Sequence, residues 1–352
     1  MEKNNASSRR WLTAVDLFAG SGSVTAALKS SHYRVLAAVD EDANACATYR
    51  LNHPGTKLFQ QDIRTVGVAD IRRAIASSLP LDLIVICAPC QPFSNQNRYR
   101  KNDDRFSLLL EGARLVKGLK PKTVFIENVP GLANSDKGNL LAKFMAICGQ
   151  DYAFTEPLMV DAADYGVPQR RRRCLIMAAK GKSPPEIPKP NTPKDRRVTV
   201  RAAIQSLPSL RSGETDAADL LHAARKHRPI ALKRLEAIPK DGGSRCDLPN
   251  ELTLTCHKGQ TGYPDVYGRM AWDDVAPTLT TGCTDITRGR FAHPEDDRAI
   301  TNREASLLQT FPRSYKFSGM PKTISTQIGN AVPYELFRAF IPSLRQAAKQ
   351  CF

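Results

Sequence analysis

The chain has 352 residues, 41% of them hydrophobic, enough for one large domain and a smaller one. No apolar run reaches the ~18 residues of a membrane span, and the polar start Met1–Arg10 lacks the apolar core of a secretory signal, so the chain is expected in the cytoplasm. Nine cysteines read as reduced thiols rather than a disulfide framework, and a formal net charge of +16 points to a polyanionic partner.

Short apolar runs alternate with helical stretches from Leu12 to about Ala179. The predicted strands are Ala14–Phe18, Val35–Val39, Leu83–Cys87, Thr123–Ile126 and Cys174–Ala178. Helical patterns fall on Ser23–Ser30, Ala43–Asn52, Val68–Ser78 and Ser107–Gly118. This alternation predicts an α/β fold with a doubly wound, mostly parallel sheet. Its ligands belong at the carboxyl ends of the strands. A Pro- and Lys-rich stretch, Lys182–Pro193, reads as a linker. A second, smaller domain with turns, short strands and many charges follows. Helical patterns return at Asn302–Gln309 and from Pro333 to about Lys349, the last packing back onto the first domain. The expected division is 1–180 completed by 300–352, with 181–299 as the second domain. Between Gln169 and Arg245 there are 19 Lys and Arg against 7 Asp and Glu, so most of the positive surplus sits in one segment. Such a block is either a solvated basic face or a phosphate-binding surface, and its place beside candidate catalytic motifs favours DNA.

Three features carry chemistry. The run Val15-Asp16-Leu17-Phe18-Ala19-Gly20-Ser21-Gly22-Ser23 passes from a strand into a helix through glycines that let a ligand approach the backbone. A dinucleotide fingerprint would need a third glycine where Thr25 stands. Asp40, at the end of the second strand, is placed to bind ribose hydroxyls, and Asp62 to accept from an adenine amine. Cys90 follows a strand in the turn Pro89-Cys90-Gln91-Pro92, with a polar flank unlike a buried core. Cys87 and Cys90 form a lone C-x-x-C, with no second pair at zinc-ligand spacing, so no metal site is predicted. A thioredoxin-like redox pair is the competing reading. Glu127 ends the next strand, where a partly desolvated carboxyl can act as an acid. Downstream, Tyr165-Gly166-Val167-Pro168-Gln169 leads into Arg170 through Arg173. Arg171 and Arg173 share one face of an extended run and could hold a carboxylate and a base carbonyl, or simply phosphates.

Together these residues resemble the cytosine-C5 DNA methyltransferase family. The match rests on Asp16 to Gly20, Pro89-Cys90-Gln91, Glu127-Asn128-Val129 and Gln169 to Arg173. It continues in Arg298 to Ala305 and in Gln327-Ile328-Gly329-Asn330-Ala331-Val332-Pro333. The resemblance implies S-adenosylmethionine bound by Phe18, Ala19, Gly20, Ser21, Gly22, Asp40, Glu41, Asp62, Ile63, Pro89, Leu108, Asn330, Ala331 and Val332. It implies Cys90 as nucleophile, Glu127 as acid, and Arg173 with Arg171 orienting Glu127 and the base. The substrate is a flipped cytosine in double-stranded DNA, contacted by Gln91, Ser94, Arg98 and Gln327, under a closing loop Gln91–Arg105. Segment 181–299 becomes the target-recognition domain, with base-reading candidates near Thr253–Gly268. A monomer, and a cognate restriction endonuclease acting on the same site, are family-level expectations. Asp40 stands where the family often has glutamate, Cys87-Ala88 where glycine is common, and Phe106 where small residues are frequent; none removes a catalytic group. A silent DNA-binding protein and an RNA (tRNA) cytosine methyltransferase are the alternatives on the same fold.

Overall fold

The computed structural model describes residues 11–75, 80–89, 106–132, 139–254 and 265–351. Among them, eight strands form one sheet: β1 Leu12–Leu17, β2 Tyr33–Asp40, β3 Lys57–Gln60, β4 Leu83–Ile86, β5 Thr123–Asn128, β6 Tyr152–Phe154, β7 Leu158–Asp161 and β8 Arg172–Lys180. They lie in the order β3-β2-β1-β4-β5-β8-β6, with β7 also paired to β8. The run from β3 to β5 is parallel, and β8 is antiparallel to β5, β6 and β7. This is the doubly wound, mostly parallel α/β sheet that the alternation predicts. All five predicted strands are present. The unpredicted β3, β6 and β7 have three or four residues each and are only partly buried, so they leave no apolar run to read.

The helices are α1 Ser23–Ser30, α2 Ala43–Asn52, α3 Val68–Ala74, α4 Phe106–Leu119, α5 Asn139–Cys148, α6 Val200–Ile204, α7 Pro229–Ala237, α8 Asn302–Leu308, α9 Pro321–Asn330 and α10 Tyr334–Gln350. The central strands β1, β4 and β5 are buried along their whole length because helices cover both faces. Side chains alternate across the sheet. Ile84, Ile86, Val124, Ile126 and Ile176 meet Leu109 and Val116 of α4 and Phe144 of α5. Leu83, Val85, Phe125 and Leu175 meet Leu28 of α1 and Leu336, Phe337 and Phe340 of α10. Phe125 and Phe337 pack edge to face at 4.9 Å. Thus the last helix does return to the sheet.

Strand order reverses between β1 and β4. The turn after β1 and the segment after β4 therefore flank the crevice where open α/β sheets take ligands.

The region from Ser183 to Ile300 is built differently. Its described residues hold α6, α7 and isolated bridges, such as Arg269 to Ala292, but no longer strand ladder. Its apolar residues form two clusters. One joins Val200, Ile204, Met270, Leu279 and Phe291 to Leu308 of α8 and Ile324 and Ile328 of α9. The other gathers Leu235, Ile238, Tyr267, Ile286 and Ala299. Backbone carbonyls without ladder partners need other donors, and two fully buried arginines supply them. Arg269 donates to the carbonyls of Leu235 at 2.7 Å, His293 at 3.0 Å and Asp296 at 2.9 Å, and pairs with Asp297. Arg298 grips Glu304 through two 2.8 Å bonds and also pairs with Asp296. None of the described helices is long and apolar enough to cross a membrane.

Candidate active site

The turn after β1 holds three residues with left-handed backbone: Phe18 at φ 59°, Gly20 at φ 53° and Gly22 at φ 91°. Gly20 N donates to Asp40 Oδ2 at 2.8 Å, and Asp42 N donates to Asp40 Oδ1 at 2.9 Å. Burial raises the Asp40 carboxyl above its ordinary range, with those two N–H groups pulling the other way. A side chain added at Gly20 would meet nothing within 4 Å, so this backbone faces open space. The buried Ser21 hydroxyl has no protein partner. Phe18, Ile63 and Leu108 belong to one apolar cluster beside the turn. Ser23 Oγ donates to Val332 O at 2.7 Å, which brings the segment after α9 to the start of α1. An open glycine, an acid at the end of β2, an apolar wall and the free N–H groups of a helix start suit a ligand with a ribose, an adenine and an amino-acid carboxylate. S-adenosylmethionine has those parts.

Two further expected cofactor residues, Asp62 and Glu41, follow β3 and β2. Asp62 gives its carboxylate to Arg64, with bonds of 2.9 Å from the main-chain N and 2.8 Å from Nε, and this lowers its pKa. Glu41 is exposed just past β2.

Glu127 lies near the end of β5 and Arg173 near the start of β8; both are largely buried, and Arg173 Nε stands 2.7 Å from Glu127 Oε1. Arg173 is thus where a residue orienting Glu127 would have to be. Asn128, beside Glu127, donates from Nδ2 to Ala88 O at 3.2 Å and fixes the chain just before Cys90. Cys90, Gln91, Ser94 and Arg98 lie outside the described residues, as do the loop Gln91–Arg105 and most of the stretch Thr253–Gly268. Cys87 is half-buried, and its thiol is pushed well above its ordinary pKa by desolvation and then by Glu127 and Asp16. A redox dithiol needs an accessible, acidified thiolate, so Cys87 argues against the oxidoreductase reading. Among the described residues, no group of three or more His, Cys, Asp or Glu side chains is gathered as a metal site.

Arg171, expected to help orient Glu127, sends its guanidinium elsewhere. Nη1 donates to Leu279 O at 3.0 Å, and Nη2 to Gly329 O at 3.0 Å and Ala331 O at 3.1 Å. The carbonyls at the end of α9 have no helical donors, and Arg171 satisfies them. Two buried glutamines extend this hub. Gln169 bridges Leu279 N and Gln309, and Gln309 donates to Ile328 O at 2.8 Å. Gln327, expected against a nucleotide, is 6% exposed and donates to Ser318 O at 3.0 Å. The basic segment also spends part of its charge internally. Arg197 pairs with Asp164, Arg201 with Asp273 and Arg225 with Asp285. Lys182, Lys189, Lys194, Arg196, Lys226 and Lys233 are exposed.

Sequence reading gave Asp16 no role of its own and missed His53 and Tyr315. Asp16 is fully buried; its Oδ2 accepts from Thr25 Oγ1 at 2.7 Å, its Oδ1 has no partner, and burial raises its pKa to about 7. His53 and Tyr315 sit beneath the glycine turn, and burial lowers His53 to about 4. Tyr315 is 294 residues from the turn it touches, so no local signal could have revealed it.

A family model described as C-5 cytosine-specific DNA methylase matches residues 12–346. The chain is similar to the Type II methylase M.HgiDII of Herpetosiphon aurantiacus, with 39% identity over 339 residues and 94% of each chain covered. It is also 31% identical over 359 residues to the Type II methyltransferase M.PspPI of Psychrobacter sp. (strain TA137), covering 97% of this chain and 82% of that one. Among solved structures, a candidate DNA modification methyltransferase encoded within an Escherichia coli prophage superposes with a TM-score of 0.77 at 24% identity, over 96% of this chain and 99% of the other. The S. pombe Dnmt2 methyltransferase superposes with a TM-score of 0.59 at 18% identity, over 96% and 99%. At those identities the structural likeness speaks for the fold.

Proposed function

This chain belongs to the C-5 cytosine-specific DNA methylase family and is a DNA cytosine-5-methyltransferase, and from that premise we propose that it methylates one flipped cytosine of a short duplex sequence through a covalent Cys90 adduct. S-adenosylmethionine, when bound, supplies an electrophilic methyl group. Phe18, the Gly20–Gly22 turn, Asp40, Ile63, Leu108 and the Asn330-Ala331-Val332 segment hold it, with Asp40 on the ribose. The reactive face of cytosine is hidden in a duplex, so the base leaves the stack to enter the site. The Cys90 thiolate adds to C6. Glu127, oriented by Arg173, protonates or hydrogen-bonds N3, so the ring takes up the added electrons and C5 becomes nucleophilic. Once C5 carries the methyl group, loss of the C5 proton and of Cys90 restores the ring.

Residues 181–299 act as the target-recognition domain on a catalytic domain formed by 1–180 and 300–352. The exposed lysines and arginines position phosphates, and a few side chains read bases. Because its relatives carry Type II methylase names, we assign the chain to the modification arm of a restriction–modification system. It would protect the site of a cognate endonuclease and act as a monomer in the cytoplasm.

One observation supports the chemistry most directly: the 2.7 Å Arg173–Glu127 pair, at the end of the strand next to the one that leads to Cys90. The test is bisulfite sequencing of DNA from a host without cytosine methylation, expressing the wild-type chain or Cys90→Ala. Protected cytosines in one recurring short sequence, absent with Cys90→Ala, are expected. Protection that survives in Cys90→Ala would overturn the covalent mechanism, and a soluble wild type that protects nothing would redirect the search to RNA.

A further inference from the structure

The glycine turn has two sides, and only one faces open space. A side chain added at Gly20 would meet nothing within 4 Å, whereas one at Gly22 would stand 2.6 Å from the His53 ring and 2.9 Å from Tyr315 Oη. His53 follows the last turn of α2 and is 3% exposed; Tyr315, between α8 and α9, is 5% exposed. His53 Nε2 lies 3.0 Å from Gly22 O and 3.1 Å from Tyr315 Oη. A carbonyl only accepts, so Nε2 carries a proton. Tyr315 Oη donates to Ser21 O at 2.5 Å. Two consecutive carbonyls of the turn are therefore engaged by a buried Tyr–His pair, with Gly22 O also accepting from Ala26 N of α1 at 2.9 Å. The Tyr49 and His53 rings pack edge to face, with centroids 4.8 Å apart.

Holding these carbonyls fixes more than the oxygens. A trans peptide is planar, with its C=O and N–H pointing in opposite directions. Fixing Gly22 O aims the Ser23 N–H, one of the donors a helix start leaves free, away from His53. Fixing Ser21 O aims the Gly22 N–H away from Tyr315, where it donates to Ala19 O at 2.9 Å and closes the turn. The backbone here is left-handed at Phe18, Gly20 and Gly22; the glycines adopt it freely, and only Phe18 needs its surroundings to hold it.

We propose that His53 and Tyr315 are positioning residues for the methyl-transfer reaction: they lock the Ser21 and Gly22 peptides from the closed side, so that the Ser23 N–H at the start of α1 is presented to the cofactor on the open side. This rests on the reading that the Gly20–Gly22 turn binds S-adenosylmethionine. The pair sets cofactor affinity without touching the reacting atoms.

The experiment is calorimetric titration of S-adenosylmethionine into the full-length wild type, Asp40→Ala, Tyr315→Phe, His53→Leu and His53→Gln, together with steady-state kinetics on DNA. Tyr315→Phe keeps the ring and removes the hydroxyl that bonds Ser21 O and His53 Nε2. His53→Leu removes the other donor, and His53→Gln restores an N–H at similar reach. Tyr315→Phe and His53→Leu are each expected to raise the cofactor Kd and KM roughly three- to tenfold, the range a single net hydrogen bond supports. At saturating cofactor, kcat should stay within about twofold, and His53→Gln should recover most of the affinity. Should Asp40→Ala weaken binding while Tyr315→Phe and His53→Leu leave Kd unchanged, the clamp is overturned and the cofactor site stands. A fall in kcat with unchanged cofactor KM would also overturn it. A wild type that binds no cofactor, or is indifferent to Asp40→Ala, removes the binding-site reading and the clamp with it.

Discussion

The central sheet and the region from Ser183 to Ile300 satisfy their backbones in different ways. In the sheet, ladders pair the strands, and side chains are left to fill two apolar faces. In the second region the described residues form no ladder longer than a single bridge, and buried arginines bind the carbonyls instead. A ladder repeats every two residues, so many positions share its work. An arginine hub concentrates that work in one side chain. Losses in the sheet should therefore be graded with the size of the cavity left, while losses in the second region should be steep at a few positions and small elsewhere.

Arg298→Met should produce the largest effect. Arg298 is fully buried and holds Glu304, which is 1% exposed and caps α8 by accepting from Thr301 N at 2.6 Å. Removing the guanidinium leaves a buried carboxylate without its counter-charge, a change that costs about 3–5 kcal/mol. Chemical denaturation measures the loss, and hydrogen exchange should show it concentrated between Val200 and Leu308. Adding Glu304→Gln, which keeps an oxygen for the cap but no charge, should recover part of the stability. If Arg298→Met were no more costly than a surface substitution, the contrast between the two regions would be wrong.

Phe337→Ala tests the other region. Its ring packs on Phe125 and joins α10 to the sheet, and its truncation should cost about 3 kcal/mol, the low end for a buried Phe, because this face can partly collapse around Phe340. The exchange signature should spread over β1, β4 and β5 instead of one patch. This difference also explains what could be read from the sequence. Strands buried on both faces are continuous apolar runs, so β1, β4 and β5 were visible. The four-residue edge strand Lys57–Gln60 was not, because it is hardly buried. The glycine turn, Glu127 and the arginine run stood out because each is compact in sequence. Arg171 could not be told from Arg173, since the carbonyls it binds, at Leu279, Gly329 and Ala331, are brought together only by folding. Gln309, His53 and Tyr315 were missed for the same reason.

The smallest expected effect concerns pH and comes from the sheet's own polar defect. Asp16 lies in β1 beneath the glycine turn, with one carboxylate oxygen bonded to Thr25 and the other without a partner. Burial raises its pKa from 3.8 to about 7. A carboxyl whose folded pKa is raised favours the folded state while it is protonated, below its unfolded pKa. That contribution is lost as pH rises toward the folded value. Between pH 5 and 7 the loss is roughly 2 kcal/mol. Two buried histidines act in the opposite sense. His53 and His293 are lowered from 6.5 to about 4, so they favour the folded state above pH 6.5 and lose that contribution as pH falls toward 4. The wild-type profile is then a partial cancellation and says little by itself. Asp16→Asn keeps an oxygen for Thr25 and removes the titration, so its stability should rise more steeply from pH 5 to 7 than that of the wild type. The difference between the two denaturation curves isolates Asp16, because both histidines are present in each protein. Parallel curves would mean that Asp16 is ionised throughout this range, and that the cost of its unpartnered oxygen is met by solvent reaching the floor of the turn.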